Sequence, residues 1–574
     1  VVWNNGIVLD TSGNVGIGVA VPDGTLHSHS GSAGSVAAAA GALEGVFENS
    51  GDAGITLLSP DANFTNVIFG SASDNIGAQI KWKHDDDLLR IGTANAGASL
   101  AFETANTVEA VRITSDGGIY EVGGVLKENL LTNSGFDVWS NSTLENVGSA
   151  LYDADFEDGG VESLTIATNC SIANTNDAGG GQGGDNYYLT VTSTAYGSNN
   201  FRKSNISLTG GKLYRIVGYF KDGTQTGQGM SISIQDGSTE HGSTLTASDG
   251  TWQQISHVWE QPADTAAGIM YFYWNPGAGS GTVKFDNITL YEVTPGCVDD
   301  SNNLSCDGWY KDTAVDVFRE HTGSNTKDGA FYALKVAYAG DNNQIGYPLP
   351  AHRDLAEWYQ RFVGRTITVG AWVKCSVADS IHINVIQTSG QTESSTNSGT
   401  GWEWLEYTVA IASDTTRFQV RFRANTGAST TYISQPMLVF GSSIGEGNYT
   451  RPQGEVVWFE KFKVIQDSVN PLAADDEILN LEALSSGVIP KGVKAVYMTS
   501  QVLNSSITSD QGIRWGKDST YSGGVWNYPL INNVYSQGAG WTSCDSNGDI
   551  YQKVTEAGDT LSGLYQTITG VELR

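Results

Sequence analysis

Cysteine is scarce, with five in 574 residues, at positions 170, 297, 306, 375 and 544. An odd count without CxxC spacing excludes a disulfide scaffold and a paired-cysteine zinc site. Cys297 and Cys306 are the pair placed to close a short loop; otherwise all five read as small buried residues. Long apolar runs are also missing, and without about eighteen consecutive apolar residues no helix spans a bilayer. Basic residues are in deficit, 31 against 62 acids, for a net charge of -31. That excess repels nucleic acid and anionic membranes. The chain opens "VVWNNG", with neither an initiator Met nor a charged-then-apolar leader, and so reads as a fragment or a processed form.

Signatures of catalysis are absent too. No GxSxG, HExxH, phosphate-binding loop or dinucleotide fingerprint occurs. Glycoside hydrolysis needs two carboxylates at a defined separation, and 62 acids offer no way to choose a pair. The eight histidines are scattered, with His27 and His29 the close pair. Their spacing points both rings to one side of a strand, where three chains around an axis would gather six; two solvated histidines is the plainer reading.

What remains is rich in β signals. Gly at 70 residues, 10% aromatics and many Ser, Thr and Asn describe short strands joined by turns. The reading is an all-β chain, and its length suggests about four domains. "LDTSGNVGIG" (9–18) is echoed by "RITSDGGI" (112–119), and in "AQIKWKH" Ile80 and Trp82 alternate with Lys81 and Lys83. These read as short hairpins, each with one apolar face and too little surface for a core. A unit that small needs cover from elsewhere, and copies in a closed three-fold rod supply it. The stretch "FENSGDAGITLLSP…FGSASDNIGAQIKWKHDDDLLRIGT…VRITSDGGI" resembles the shaft of bacteriophage tail fibres. The resemblance covers residues 9–122 and implies a homotrimeric shaft domain, assigned here to 1–125.

An internal repeat follows. "GKLYRIVGYFK" (211–221) aligns without gaps to "GRTITVGAWVK" (364–374), Trp252 stands opposite Trp402, and "YYLTV" matches "YALKV". Two copies of one sandwich are expected, at 126–295 and 296–453. Tyr332, Leu334, Val336 and Tyr338 alternate with Lys335 and Ala337 as in a half-buried strand, and "DLAEWYQRFVGR" has the spacing of one short helix. The pattern "NSGFDVW…VGAWVK…W" resembles jelly-roll carbohydrate-binding modules, such as those on phage tail appendages. That resemblance implies two jelly-roll sandwiches and a structural Ca²⁺, with Asp137 and Asp286 where the motif puts its carboxylates; strand-end capping is the alternative role for both. Ser434 and Gln435 replace the acid in the second copy.

A small C-terminal β-sandwich tip is expected over 454–574, by weak likeness to the ends of phage tail proteins. Its segment 512–543 sets Trp515, Tyr521, Trp526, Tyr528, Tyr535 and Trp541 among Gly, Ser and Asn. Rigid rings beside small polar residues are the composition of recognition loops, and the same rings stack on pyranose faces. A plug for a core or trimer axis is the competing role. Trp252, Trp402, Trp404, Tyr271, Tyr273 and Trp274 read as core. Together these features imply a non-enzymatic phage tail fibre in the virion tail, outside the cell. Its partners would be its own copies, other tail or baseplate proteins and a host surface glycan, with no nucleic acid and no membrane insertion. The alternatives are a polysaccharide-depolymerising tailspike and a bacterial surface filament or adhesin.

Overall fold

Alternation in the sequence becomes strand in the structure. In Leu213–Asp222 the residues Tyr214, Ile216, Gly218 and Phe220 face inward while Arg215, Val217, Tyr219 and Lys221 face out. The computed structural model describes residues 6–104, 108–115, 119–121, 128–195, 197–224, 229–237, 240–245, 250–274, 281–299, 301–441, 443–452, 454–468, 477–504, 512–529, 531–554 and 561–573. The chain is all-β apart from a few single turns of helix, and it divides into two units, Val1–Tyr120 and Glu121–Arg574.

The N-terminal unit has almost no interior. Among its described residues only Gly16, Pro22, Gly24 and His27 are buried. Thr65–Phe69, Ala78–Lys83 and Leu88–Thr93 form an antiparallel meander. Its register lines up Val67, Ile80 and Ile91 beside Trp82 and Leu89, all of them exposed. The opening strands correct the hairpin expectation. Ile7–Leu9 and Val15–Ile17 do form a hairpin, whose turn is held by Asp10 Oδ1 accepting from Ser12 N and Asn14 N at 2.8 Å each. Val15–Ile17, Leu26–His29 and Val46–Glu48 then pair in parallel, across connections too long for tight turns.

The second unit holds two sandwiches of one topology. In the first, one sheet runs Cys170–Asn176, Tyr187–Ser193, Gly281–Cys297, Leu213–Asp222, Gln253–Glu260, and the other Thr165–Thr168, Asn199–Leu208, Thr265–Trp274, Met230–Gln235, Glu240–Leu245. In the second, the sheets run Val315–Glu320, Ala333–Tyr338, Ser429–Phe440, Thr366–Cys375, Trp402–Ala410 and Tyr310–Lys311, Gln344–Tyr347, Gln419–Ala424, Ile381–Gln387, Gly390–Glu393. Counted along the chain, both copies read second, third, tenth, fifth, eighth in one sheet and first, fourth, ninth, sixth, seventh in the other. That is the strand order of a jelly roll with one extra strand on each sheet. Each copy also bulges at the same place in its tenth strand, opposite Gly218 and Ala371, with Asn287 and Gln435 at φ of 46° and 54°. The helix expected at "DLAEWYQRFVGR" is a single turn, Ala356–Tyr359, burying Trp358.

The copies are nested rather than consecutive. Leu130 N donates to Leu438 O at 2.9 Å, Asn129 Nδ2 donates to Pro436 O at 3.0 Å, and Leu131, Phe136 and Trp139 lie in one core with Trp309, Tyr347 and Phe422. The segment at 129–139, expected to begin the first sandwich, therefore belongs to the second. The first sandwich is inserted after it, and Gly281–Cys297 leads back by pairing Gly296 with Phe318. All five cysteines are buried free thiols, Cys297 and Cys306 included.

The last module packs Val456–Ser468, Leu561–Glu572, Ala495–Asn504 and Ser536–Ser543 against Glu477–Leu479, Ile550–Val554, Ile513–Gly516 and Trp526–Asn527. Val138 enters its core. Buried Arg319 donates to Glu482 Oε1 at 2.6 Å and to Gly487 O at 2.9 Å, tying the second sandwich to this module. Arg319→Met leaves Glu482 charged without a partner and is expected to cost about 3–5 kcal/mol, read as a fall in chemical-denaturation midpoint; no change would remove this pair from the joint.

Glu455 sits at the same joint, accepting from Asn133 N, with burial pushing its carboxyl up to about 7. Because that value exceeds the unfolded one near 4.3, the folded chain binds the extra proton between about pH 4 and 7. The contribution is complete below about pH 4 and lost as pH rises through 7, on the order of 3 kcal/mol. Glu455→Gln is expected to flatten this part of the stability–pH curve, measured by denaturation at pH 5 and 8.

Candidate functional site

Register sets three aromatic rings in a row on the outer face of the C-terminal sheet. Trp541 pairs with Tyr497, Tyr497 with Gly570, and Gly570 with Trp458. Ring centroids lie 5.5 Å apart for Tyr497 and Trp541, 5.4 Å for Trp458 and Tyr497, and 5.8 Å for Trp458 and Trp541. Gly570 makes the cluster possible: a Cβ there would stand 2.7 Å from the Trp458 ring. Trp458 is 56% exposed and Trp541 38%, so the rings face solvent. The next cross-strand rows bring Thr499 and Thr567, joined through their hydroxyls, and then Gln501 and Tyr565. The rings meet tilted or edge to face, at 55° to 74°, and an apolar cluster of this kind beside hydroxyl and amide groups is suited to a ligand with apolar faces and polar rims.

The six residues expected from sequence divide. Trp541 belongs to this row. Trp526, 53% exposed, lies 6.3 Å from Tyr528 on the other sheet, and Arg514 locks the two, its guanidinium 4.5 Å from the Trp526 ring and Nε donating to Tyr528 Oη at 3.1 Å. Tyr535 is exposed on a turn. Trp515 and Tyr521 correct the expectation. Both are buried, and Trp515 Nε1 donates to Gln552 Oε1 at 2.7 Å inside the core, so neither ring can meet a ligand. Trp458 and Tyr497 were missed. Their signal was a large ring on the outward beat of the strands "VVWFEKF" and "KAVYMTS".

A second aromatic surface lies on the first sandwich. Tyr271 and Tyr273, read from sequence as core, stack outward at 5.4 Å, beside Arg202 and Asn200 on the neighbouring strand; Trp274 alone of that trio is buried. "YFY" (271–273) corresponds by topology to "RFR" (421–423) in the second sandwich, where Arg421 donates to Gln344 Oε1 at 2.9 Å and Gln419 Oε1 at 2.8 Å. Trp252 and Trp402 are half-buried rather than core, and half-buried Trp404 packs against the buried cluster of Met437, Val439 and Ile444.

The residues proposed for calcium have other partners. Asp137 faces Arg451, with Oδ2 3.0 Å from Nη1 and Oδ1 3.2 Å from Nη2. The guanidinium supplies the counter-charge a cation would bring. Asp286 accepts from Gln182 N at 2.7 Å and Asn287 N at 2.9 Å, and burial pushes it up to about 6. Two carboxylates satisfied separately by nitrogen donors do not fit an oxygen cage for Ca²⁺. Asp23, His27 and Glu48 bring their ligating atoms within 4.8 Å of one another. His27, expected to be solvated, is buried. Its Nδ1 accepts from Asp23 N at 3.1 Å, which puts the ring proton on Nε2, 3.1 Å from Glu48 Oε2. Asp23 enters this network through its backbone N–H rather than its carboxylate.

No protein-family model and no curated protein matches the chain. Solved structures do resemble parts of it. The tandem N-terminal CBM22 domains of Xyn10C from Paenibacillus barcinonensis match at 12% identity, covering 52% of this chain and 99% of that one, with a TM-score of 0.24. TmCBM61, in complex with beta-1,4-galactotriose, matches at 14% identity over 24% of this chain and 94% of that one, TM-score 0.20. The enzymatically active domain of bacteriophage CBA120 tailspike protein 4 matches at 16% identity over 29% of this chain and 21% of that one, TM-score 0.19.

Proposed function

We propose that this chain is a non-enzymatic phage tail fibre that attaches a virion to its host by binding surface glycan. The carrying observation is the surface cluster of exposed Trp458 and Trp541 with half-buried Tyr497, built over Gly570 and continued along the sheet by Thr499 and Gln501. Stacked rings meet the apolar faces of sugars, and adjacent hydroxyls and amides meet their edges. Trp458→Ala with Trp541→Ala is expected to lower adsorption to host cells at least tenfold while the chain stays folded, with stability reduced by about 1–3 kcal/mol as the ring contacts are lost. Unchanged adsorption would count against this surface as the receptor site.

The N-terminal unit supports the fibre reading through what it lacks. The face formed by Val67, Ile80, Ile91, Trp82 and Leu89 is exposed in a single chain, and two sister chains around a common axis would cover it. On this reading the protein is a homotrimer in the virion tail, joined to other tail or baseplate proteins. Light scattering on the full chain is expected to give three times the chain mass, and Ile80→Asp with Ile91→Asp to give one. A monomeric parent would remove the shaft.

A further inference from the structure

A cross-strand row on the second sandwich has a composition that the aromatic surfaces do not share. Lys335 pairs with Tyr432, and Tyr432 pairs with Lys374, so one ring is flanked on both sides by an ammonium. The row lies along a cavity of about 440 Å³, also lined by Asn325, Thr400 and Thr430. Lys374 donates to Ser324 O at 3.0 Å and Asn325 Oδ1 at 3.1 Å, both neutral acceptors, and sits 5.6 Å from the Tyr432 ring centre. Among the described residues Lys335 has neither an ion pair nor a hydrogen bond, only the Phe318 ring at 5.2 Å. Glu320, the acid whose charge reaches Tyr432, is already engaged by Thr322 N at 2.7 Å and Asn325 Nδ2 at 3.3 Å. In a chain of net charge -31, two cations face this cavity, whose lining carries no carboxylate; on its other side Lys335 borders a second cavity with Glu292 and Glu320.

The other copy provides a comparison within the same chain. At the corresponding positions the first sandwich carries Thr190, Lys284 and Lys221. There the central residue is a lysine whose Nζ donates to Tyr188 Oη at 2.8 Å and lies 4.2 Å from that ring, and a threonine stands where the unpaired Lys335 stands in the second copy. The flat ring between two cations is therefore a property of the second sandwich alone.

We infer that the Lys335–Tyr432–Lys374 row binds an acidic sugar, its ring stacked on Tyr432 and its carboxylate held between the two ammonium groups. The inference extends the glycan reading by naming a charge class, at a site separate from the Trp458 row, so the two stand or fall apart. Titration calorimetry on the full chain tests it with three probes: oligogalacturonate, an uncharged galactan oligosaccharide of the same length, and inorganic phosphate. Oligogalacturonate is expected to bind the parent and the W458A/W541A variant alike, to lose at least tenfold in K335A/K374A and in Y432A, and to weaken as salt rises. Galactan binding should be unaffected by K335A/K374A. Absence of oligogalacturonate binding to the parent, or equal binding to K335A/K374A, overturns the proposal. Inorganic phosphate that competes at a similar concentration overturns the sugar and leaves a plain anion site.

Discussion

A β-sheet with one apolar face has to be covered, and the source of that cover differs from module to module in this chain. In both jelly rolls and in the C-terminal module a second sheet of the same chain supplies it, so that Trp309, Phe422 and Val373, or Phe201, Phe272 and Phe285, vanish from solvent. At about 25 cal/mol per Å² of buried apolar surface, rings of that size dominate the favourable side of folding. The meander around Ile80 has no such layer among the described residues of its unit. The difference between these two solutions separates self-sufficient modules from one that gains its core by association.

Packing constrains inner faces and leaves outer faces free, and the duplicated sandwich records both. Inward positions agree: Phe272 and Phe422 occupy the same place in the ninth strand, and the tenth-strand bulge recurs opposite a small buried residue, Gly218 in one copy and Ala371 in the other. Outward positions disagree. Tyr271 and Tyr273 give way to Arg421 and Arg423, and Thr190, Lys284 and Lys221 give way to Lys335, Tyr432 and Lys374. Two copies of one scaffold thus present different chemistry at no cost to the core.

How much of this was legible follows from the range of the forces involved. Strand alternation is local, so the duplication and most strands were readable from spacing, while the jelly-roll class came from the resemblance of "NSGFDVW…VGAWVK…W" to carbohydrate-binding modules. Nesting was not. "NSGFDVW" directly precedes the first sandwich in sequence, and only Asn129 bonding to Pro436 and Leu438, more than three hundred residues away, assigns it to the second. Parallel pairing of Val15–Ile17 with Leu26–His29 is likewise a long-range choice that turn residues do not announce. In the candidate site, composition located the aromatic segment but not its depth. Trp515 and Trp526 sit in similar Gly-rich surroundings, and the pairing of Ile513–Gly516 between two other strands buries one while the edge position of Trp526–Asn527 exposes the other.

Outer faces act together only if the modules behind them hold still. Here the joints are polar: Arg319 with Glu482 and Gly487 O and Asn133 with Glu455 are buried, and half-buried Lys491 meets buried Glu260. Such groups contribute little net stability over an apolar joint, because desolvating them offsets most of their attraction. What they contribute is directionality, since hydrogen-bond geometry narrows the arrangements a joint can take, whereas an apolar joint tolerates sliding. A fixed relation between the Tyr271, Tyr432 and Trp458 surfaces would let several weak contacts to one polymer act as intramolecular events, with effective concentrations set by geometry rather than by diffusion. Weak individual sites are then compatible with firm attachment, provided the joints are rigid.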